Sequence, residues 1–343
     1  VTRVLQAMAG AHHGGGEAFF TRLVPALTRA GVEQRVVIRE NAERAAILRA
    51  AGIDPVQVRF GSRLDLATPL RLRREVGSFQ PDIVLTWMSR ATDMFPRGSF
   101  VHVARLGGYY DLKYYRKCDH LIGNTEDIVR HLVDGGWPAD RVHYLPNFVA
   151  GEQAAPAARE PHYTPRGAPL ILAMGRLHPN KGFDVLLEAM TRLLDVYLWI
   201  AGEGPEREAL ERQAEALAVK PRVRFLGWRD DTAALLAAAD IFVCPSRHEP
   251  LGNVVIEAWA QAVPVIAAES QGPGALIADM ENGILVPPED AETIARAVRY
   301  LFANADVAAS VARAGRTSYE ERFTESKVGA HYLEFFDRVK ADD

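Results

Sequence analysis

Glu249 and Glu257 stand eight residues apart in "SRHEPLGNVVIEAWAQAVPVIA" (246–267), with a Pro-Leu-Gly-Asn turn between them. Val254, Val255, Ala258, Trp259 and Ala262 recur at helical spacing, so a helix starts near Gly252 or Asn253. Glu249 then lies in the loop. Glu257 lies about one turn inside the helix, roughly 6 Å along its axis from Asn253. A carboxylate there can accept two hydrogen bonds from a vicinal diol such as a ribose. The N–H groups at Gly252, Asn253 and Val254 can hold a phosphate. The same residues also describe an ordinary helix start, where the dipole favours a glutamate anyway. Spacing alone leaves both readings open.

Two cations stand in a comparable place upstream. In "GRLHPNKGFDVL" (175–186), Arg176 follows a buried strand directly and Lys181 sits just before a helix. A planar donor fork and a point charge beside a helix N-terminus suit a diphosphate. Two solvated surface cations are the plain alternative, and the position after a strand favours function. "AGAHHGGGEAFF" (9–20) places three glycines before a helix whose first turn carries Glu17. Glycines let a backbone approach a ligand, but the run is not a spaced G-x-G-x-x-G and equally fits a flexible turn. His12 and His13 lack a third ligand nearby and read as ordinary loop histidines. "AGEGPEREALERQ" (201–213) reads as a tight strand-to-helix turn at Gly202, Gly204 and Pro205.

The elements that must position these loops alternate. "RVLQAMA", "QRVVIR", "VQVRF", "DIVLTW", "FVHVARL" and "HLIGN" are short apolar runs separated by helical or loop segments. "EAFFTRLVPALTRAG" (17–31) and "NAERAAILRAAG" (41–52) read as helices ending at glycine. Residues 147–169 lose the period and read as a linker. The alternation restarts at "LILAMGRLHPNKGFDVLLEAMTRLL" (170–194) and runs through "VYLWIAG", "RVRFLG", "DIFVCPS" and "VPVIAA". A helical pattern, "SKVGAHYLEFFDRVK" (326–340), follows. The expectation is an α/β chain of two Rossmann-like, doubly wound domains facing a cleft, with chemistry in the loops after strands. The expected limits are 1–150, a linker 151–168, 169–322, and a terminal helix in 323–343.

The totals are those of a globular chain. It has 343 residues, 48% hydrophobic and 24% charged, with two cysteines, Cys118 and Cys244, too few for a disulfide framework or a zinc spacing. No run approaches the roughly 18 apolar residues of a membrane span, and no charged-then-apolar leader precedes the first strand. A cytoplasmic location is expected. The net charge of −4 divides unevenly: residues 1–150 hold 20 Lys+Arg and 15 Asp+Glu, the rest 20 and 29. With no aromatic–basic stripe, a nucleic-acid partner is not expected.

From Gly175 to Pro287 the chain resembles the retaining GT-B glycosyltransferases of family 4, which include lipopolysaccharide, capsule and mannosyl transferases. "GRLHPNKGFDVLLEA", "WIAGEGPEREAL", "VRFLGW", "LLAAADIFVCPSRHEPLGNVVIEAWAQAVPVIA" and "ENGILVPPED" carry the likeness. "GGGEAFFTRL", "LIGNTEDIVRHL" and "VHYLPNFV" resemble the family's acceptor-domain landmarks. The resemblance implies that Arg176 and Lys181 bind the donor diphosphate, that Glu257 binds the ribose, and that Glu249 faces the sugar hydroxyls. Leu251, Gly252, Asn253 and Val254 would line the sugar–phosphate site, with Gly15 and Gly16 closing over the phosphate. The base would sit near Gly204, Gly227 and Trp228. The last helix would cross back to the first domain. Many members carry a histidine or an acid after a first-domain strand. Here "FVHVARL" leads into "GGYYDLKYY", His102 lies within the strand, and Asp111 is the catalytic candidate instead. Arg105, Gly107, Gly108, Tyr109 and Tyr110 are candidates for the acceptor wall.

The implied reaction moves a sugar from a nucleoside diphosphate, UDP ahead of GDP or ADP, to a hydroxyl of an envelope glycan or glycolipid. No cofactor and no metal are expected, because two cations and a helix N-terminus can meet the leaving charge and no Asp-x-Asp occurs. Arg71, Arg73 and Arg74 in "PLRLRREV" (69–76) could meet an anionic inner-membrane surface, or simply form a solvated helix face. A nucleotide-sugar 2-epimerase and a non-catalytic nucleotide-sugar binder are the rivals.

Overall fold

The apolar runs form strands buried on both faces, as parallel sheets covered by helices require. The computed structural model describes residues 2–12, 14–61 and 64–341. The chain divides into two units, Val1–Phe148 with Glu325–Asp343, and Val149–Thr324.

The first unit runs β1 (Arg3–Met8), α1 (Gly15–Arg29), β2 (Glu33–Arg39), α2 (Ala42–Ala50), β3 (Val56–Val58), α3 (Ala67–Phe79), β4 (Ile83–Trp87), α4 (Met88–Met94), β5 (Val101–Leu106), β6 (His120–Gly123), α5 (Glu126–Asp134) and β7 (Val142–Tyr144). Its sheet has the order β3-β2-β1-β4-β5-β6-β7, and the paired strands are parallel. Winding therefore reverses between β1 and β4, where Val4 lies opposite Ile83. Glycines 15 and 16 are the first residues of α1 rather than part of the preceding loop.

The second unit runs β8 (Leu170–Met174), α6 (Phe183–Met190), β9 (Tyr197–Ala201), α7 (Arg207–Ala216), β10 (Val223–Gly227), α8 (Thr232–Ala238), β11 (Ile241–Cys244), α9 (Asn253–Ala260), β12 (Val265–Ala268), α10 (Gln271–Leu276), β13 (Ile284–Val286), α11 (Ala291–Ala303) and α12 (Ala305–Arg322). Its sheet order is β10-β9-β8-β11-β12-β13, so winding reverses between β8 and β11. In open α/β sheets the crevice outside such a reversal is where ligands bind. The segment before β8 has no strand or α-helix and a single 3₁₀ turn, Glu160–His162. Sequence reading singled out neither β7 nor β13 as strands, being three residues each. Nor did it single out α12. There Gly315 sits against Trp259 of α9, and a Cβ at Gly315 would come within 2.4 Å of the indole.

The last helix, α13 (Glu325–Ala341), belongs to the first unit. Val328, Tyr332, Phe335, Phe336 and Val339 are buried in one cluster with Phe19, Phe20 and Trp87. Fully burying such a side chain contributes roughly 1.5–3 kcal/mol, enough in sum to hold a terminal helix in place. Arg29 pairs with Glu325 at 2.5 Å and Lys340 with Asp82 at 3.0 Å along its length.

Candidate active site

The loops after β8, β9 and β11 interlock through glycines. Gly175 has φ 147°, Gly182 64°, Gly202 145° and Gly252 76°, the region that favours glycine. A Cβ at Gly182 would lie 2.1 Å from the Pro245 carbonyl oxygen, and one at Gly202 would lie 1.9 Å from that of Gly175. At Gly204 it would lie 2.3 Å from Leu177 O. The expectation placed Gly204 beside a base; its immediate surroundings are the β8–α6 backbone. Leu177 N donates to Glu203 O at 3.0 Å, and His248 N to Asn180 O at 3.1 Å. Arg247 forks onto Asp184 at 2.8 and 2.6 Å and reaches Glu289 at 2.8 Å. The Asp184 hydrogen bond raises the Arg247 pKa against the lowering effect of burial. Sequence reading missed this brace, although Asp184 follows Lys181 closely and Arg247 stands just before Glu249.

On this frame the two expected cations behave differently. Arg176 is exposed and makes no hydrogen bond or ion pair among the described residues. Lys181, which ends the 3₁₀ turn Pro179–Lys181, hydrogen-bonds through Nζ to Glu249 Oε2. The Lys181 and Glu249 side chains are only 22% and 11% exposed. The other Glu249 oxygen accepts from Gly252 N at 3.4 Å, and Glu249 O accepts from Gly272 N at 2.7 Å. Gly252 caps α9, whose first turn holds Asn253 and Val254, with Leu251 immediately before it. Glu257 is half-buried in that helix, as the spacing predicts. Gly227 (φ 73°) bridges to Gly202, while Trp228 is 68% exposed and donates to Asp230 at 3.0 Å.

The first-unit candidates occupy three settings. Gly16 lies against Met88, whose φ of 70° is unusual for a side-chain-bearing residue and falls directly after β4 at the winding reversal. Gly107 and Gly108 follow β5; a Cβ there would meet Asn124 at 3.3 Å and the Tyr110 ring at 3.5 Å. Tyr109 donates its hydroxyl to Asp127 and stands edge-on to His131, and burial with the Asp127 bond pushes its pKa up to about 12. Burial also raises the Tyr110 pKa, with the Glu17 charge adding to it. Asp111 is exposed, accepts from Lys113 N at 3.0 Å and pairs with Lys113 Nζ at 2.5 Å, so it caps a 3₁₀ turn.

Arg105 lies in a different environment from the acceptor wall expected of it. It is buried, with its guanidinium over Phe19 and Trp87 at 4.6 and 4.7 Å. Its Nε donates to Tyr332 Oη at 2.9 Å and its Nη2 to Asn147 Oδ1. Those contacts spend the fork on seating α13. His102 is also buried and bonds Thr86 Oγ1 at 3.1 Å, as its place within a strand implies. His13 lies outside the described residues. Among the described residues, no group of three His, Cys, Asp or Glu could hold a metal ion, and no helix is long and apolar enough to cross a membrane.

Comparison with known proteins places this geometry. Residues 13–153 match the family described as Glycosyltransferase Family 4, and residues 168–304 the one described as Glycosyl transferases group 1. The chain is 38% identical over 325 residues to a Lipopolysaccharide core biosynthesis glycosyltransferase LpsE of Rhizobium meliloti (strain 1021), covering 94% of this chain and 95% of that protein. It is 34% identical to LpsD of the same strain, covering 95% of each chain. The solved structure of Anabaena Alr3699/HepE in complex with UDP shares the fold, with a TM-score of 0.85, 19% identity, and 97% and 99% of the two chains covered. Two parallel sheets that each reverse at their first strand thus have their counterpart in known enzymes. The chain belongs to glycosyltransferase family 4 and is a glycosyltransferase with the GT-B fold.

Proposed function

We propose that this enzyme transfers a sugar, with retention at the anomeric carbon, from a nucleoside diphosphate sugar to a hydroxyl of a lipopolysaccharide-core or exopolysaccharide acceptor. One observation carries the donor half. At the winding reversal of the second sheet, an unengaged Arg176 stands on the same loop as Lys181, which pairs with Glu249 of the loop after β11. The leaving diphosphate develops negative charge, and Arg176 and Lys181 meet it without a divalent ion. Glu257 takes the ribose, Glu249 the sugar hydroxyls, and the first turn of α9, with Leu251 to Val254, the sugar–phosphate junction. Gly204, Gly227 and Trp228 flank the base. The N-terminus of α1, at Gly15 and Gly16, donates to the phosphate. Uridine is the favoured base, in line with the UDP bound by the Anabaena protein. Attack from the front face, with the leaving phosphate taking the acceptor proton, avoids the need for a carboxylate beneath the anomeric carbon.

The acceptor belongs to the first unit, at Gly107 to Tyr110 with Asp111 alongside. The envelope reading draws on the similarity to the lipopolysaccharide-core enzymes. A peripheral position on the cytoplasmic face of the inner membrane fits α3. There Arg71, Arg73 and Arg74 are exposed, and Leu66 and Leu70 stand 74% and 62% exposed beside them. Each cation near an anionic leaflet is worth about 1 kcal/mol at low salt.

A panel of UDP-, GDP- and ADP-sugars in thermal-shift titration tests the donor, because a ligand of the native state raises the unfolding temperature. UDP-sugars should shift it and Glu257→Ala should abolish the shift. Turnover that collapses in excess EDTA, or a shift with no member of the panel, would count against the proposal.

A further inference from the structure

We infer that Glu17 and Arg44 form a charged brace that positions the glycine loop of the first unit and keeps the Glu17 carboxylate from repelling the donor phosphates. The inference deepens the proposed function and rests on its assignment of Gly15 and Gly16 to the donor.

Glu17 occupies the first turn of α1 and is buried. Its side chain turns back on the loop, where Oε1 accepts from Ala11 N at 2.7 Å. A Cβ at Gly10 would lie 2.5 Å from Oε1, and one at Gly14 would lie 2.3 Å from Oε2. Those two glycines therefore make room for a carboxylate. From the other side, Arg44 Nη2 donates to Ala11 O at 2.6 Å and to His12 O at 3.3 Å. The Ala11 residue is thus held at its N–H by an anion and at its carbonyl by a cation. Arg44 is itself fixed in the first turn of α2, where Asn41 Oδ1 accepts from its backbone N–H at 2.8 Å.

Arg44 is buried, and its Nη1 has no hydrogen-bond partner among the described residues. A buried charge with an unmet donor is a poor way to fill space, since an apolar side chain of the same size would pack there without that cost. What the charge supplies is compensation. A carboxylate in the first turn of α1 suits the helix dipole but opposes an anion arriving at the same terminus. Arg44 offsets that charge through space, as Glu17 does for Arg44 against the lowering effect of burial on its pKa.

The test compares Arg44→Met, Arg44→Lys, Glu17→Gln and the double variant Glu17→Gln/Arg44→Met with the native chain. Amide exchange over residues 10–16 is read alongside donor KM and kcat. Arg44→Met should speed exchange and raise donor KM about tenfold, equivalent to about 1.4 kcal/mol of donor affinity, with kcat less affected. Arg44→Lys should recover part of the loss. The double variant should have a lower KM than Arg44→Met, because the uncompensated carboxylate is gone. Unchanged exchange in Arg44→Met and Glu17→Gln overturns the brace. A double variant no better than Arg44→Met overturns its electrostatic role. Loss confined to kcat overturns the role in donor binding, because it marks an interaction made only in the transition state. Faster exchange with unaltered KM instead removes the glycine loop from the donor site, and with it the reading on which the inference rests.

Discussion

Glu249 competes with any diphosphate for the Lys181 charge, and under the proposed donor role that competition yields a prediction with an unusual sign. The two side chains are 22% and 11% exposed, between a surface pair and a buried one. Unit charges 4 Å apart attract by about 4 kcal/mol at an effective dielectric of 20. Desolvation and side-chain ordering remove much of this, and exposed pairs net only about 0.2–1 kcal/mol. Separating this pair therefore costs about 1–2 kcal/mol, which a nucleoside diphosphate would have to overcome if it drew Lys181 away as proposed. Glu249→Gln keeps the shape, removes the charge and frees the lysine. It should bind UDP more tightly by roughly 5- to 30-fold, since about 1.4 kcal/mol is tenfold, while turnover of the complete donor falls. Isothermal titration of UDP into the native chain, Glu249→Gln, Lys181→Met and the double variant measures this. The gain should vanish when Lys181 is absent. Weaker or unchanged UDP binding by Glu249→Gln, or a gain that survives in the double variant, refutes the reasoning.

Two further outcomes follow from the packing. Gly204→Ala forces a methyl within 2.3 Å of the Leu177 carbonyl, whereas a Cβ at Gly167 meets nothing within 4 Å. Gly204→Ala should cost about 1–3 kcal/mol of second-unit stability and weaken donor binding, with Gly167→Ala near neutral in thermal melts; equal melts would contradict the close approach. Burial pushes the His102 pKa down to about 3 from 6.5, with Lys117 adding to the effect. The folded state thus favours neutral imidazole, so the stability it contributes is full above pH 6.5 and falls as pH drops toward 3, by up to about 1.4 kcal/mol per unit. Melts at pH 7, 6 and 5 should converge between the native chain and His102→Gln as the pH falls; parallel profiles would exclude His102 as the cause.

The legible part of this protein is what short stretches encode. Alternating apolar runs and helical periods located most of the strands and helices, because burial on a strand or a helix face repeats every few residues. They missed β7 and β13, which are three residues long, and α12, an alanine-rich helix whose contact with Trp259 is made by a glycine. Glycine positions marked the loops after β8 and β11, since left-handed turns at Gly182 and Gly252 are local requirements of the backbone.

Partner choice was not legible. Lys181 and Glu249 are 68 positions apart, and Arg105 and Tyr332 are 227 apart. Each pair meets only because the strand order, or the return of α13 to the first unit, brings distant segments together. For the same reason Arg105 looked like an acceptor residue and proved to seat a helix. The glycine run before Glu17 fitted a ligand or a turn equally by sequence, and only the fold shows that Gly10 and Gly14 leave room for the Glu17 carboxylate. Residue type and spacing determined which chemistry this chain can offer. Tertiary packing decided which charges remain available for it, because a charge is free or spent according to what the fold places within hydrogen-bond reach.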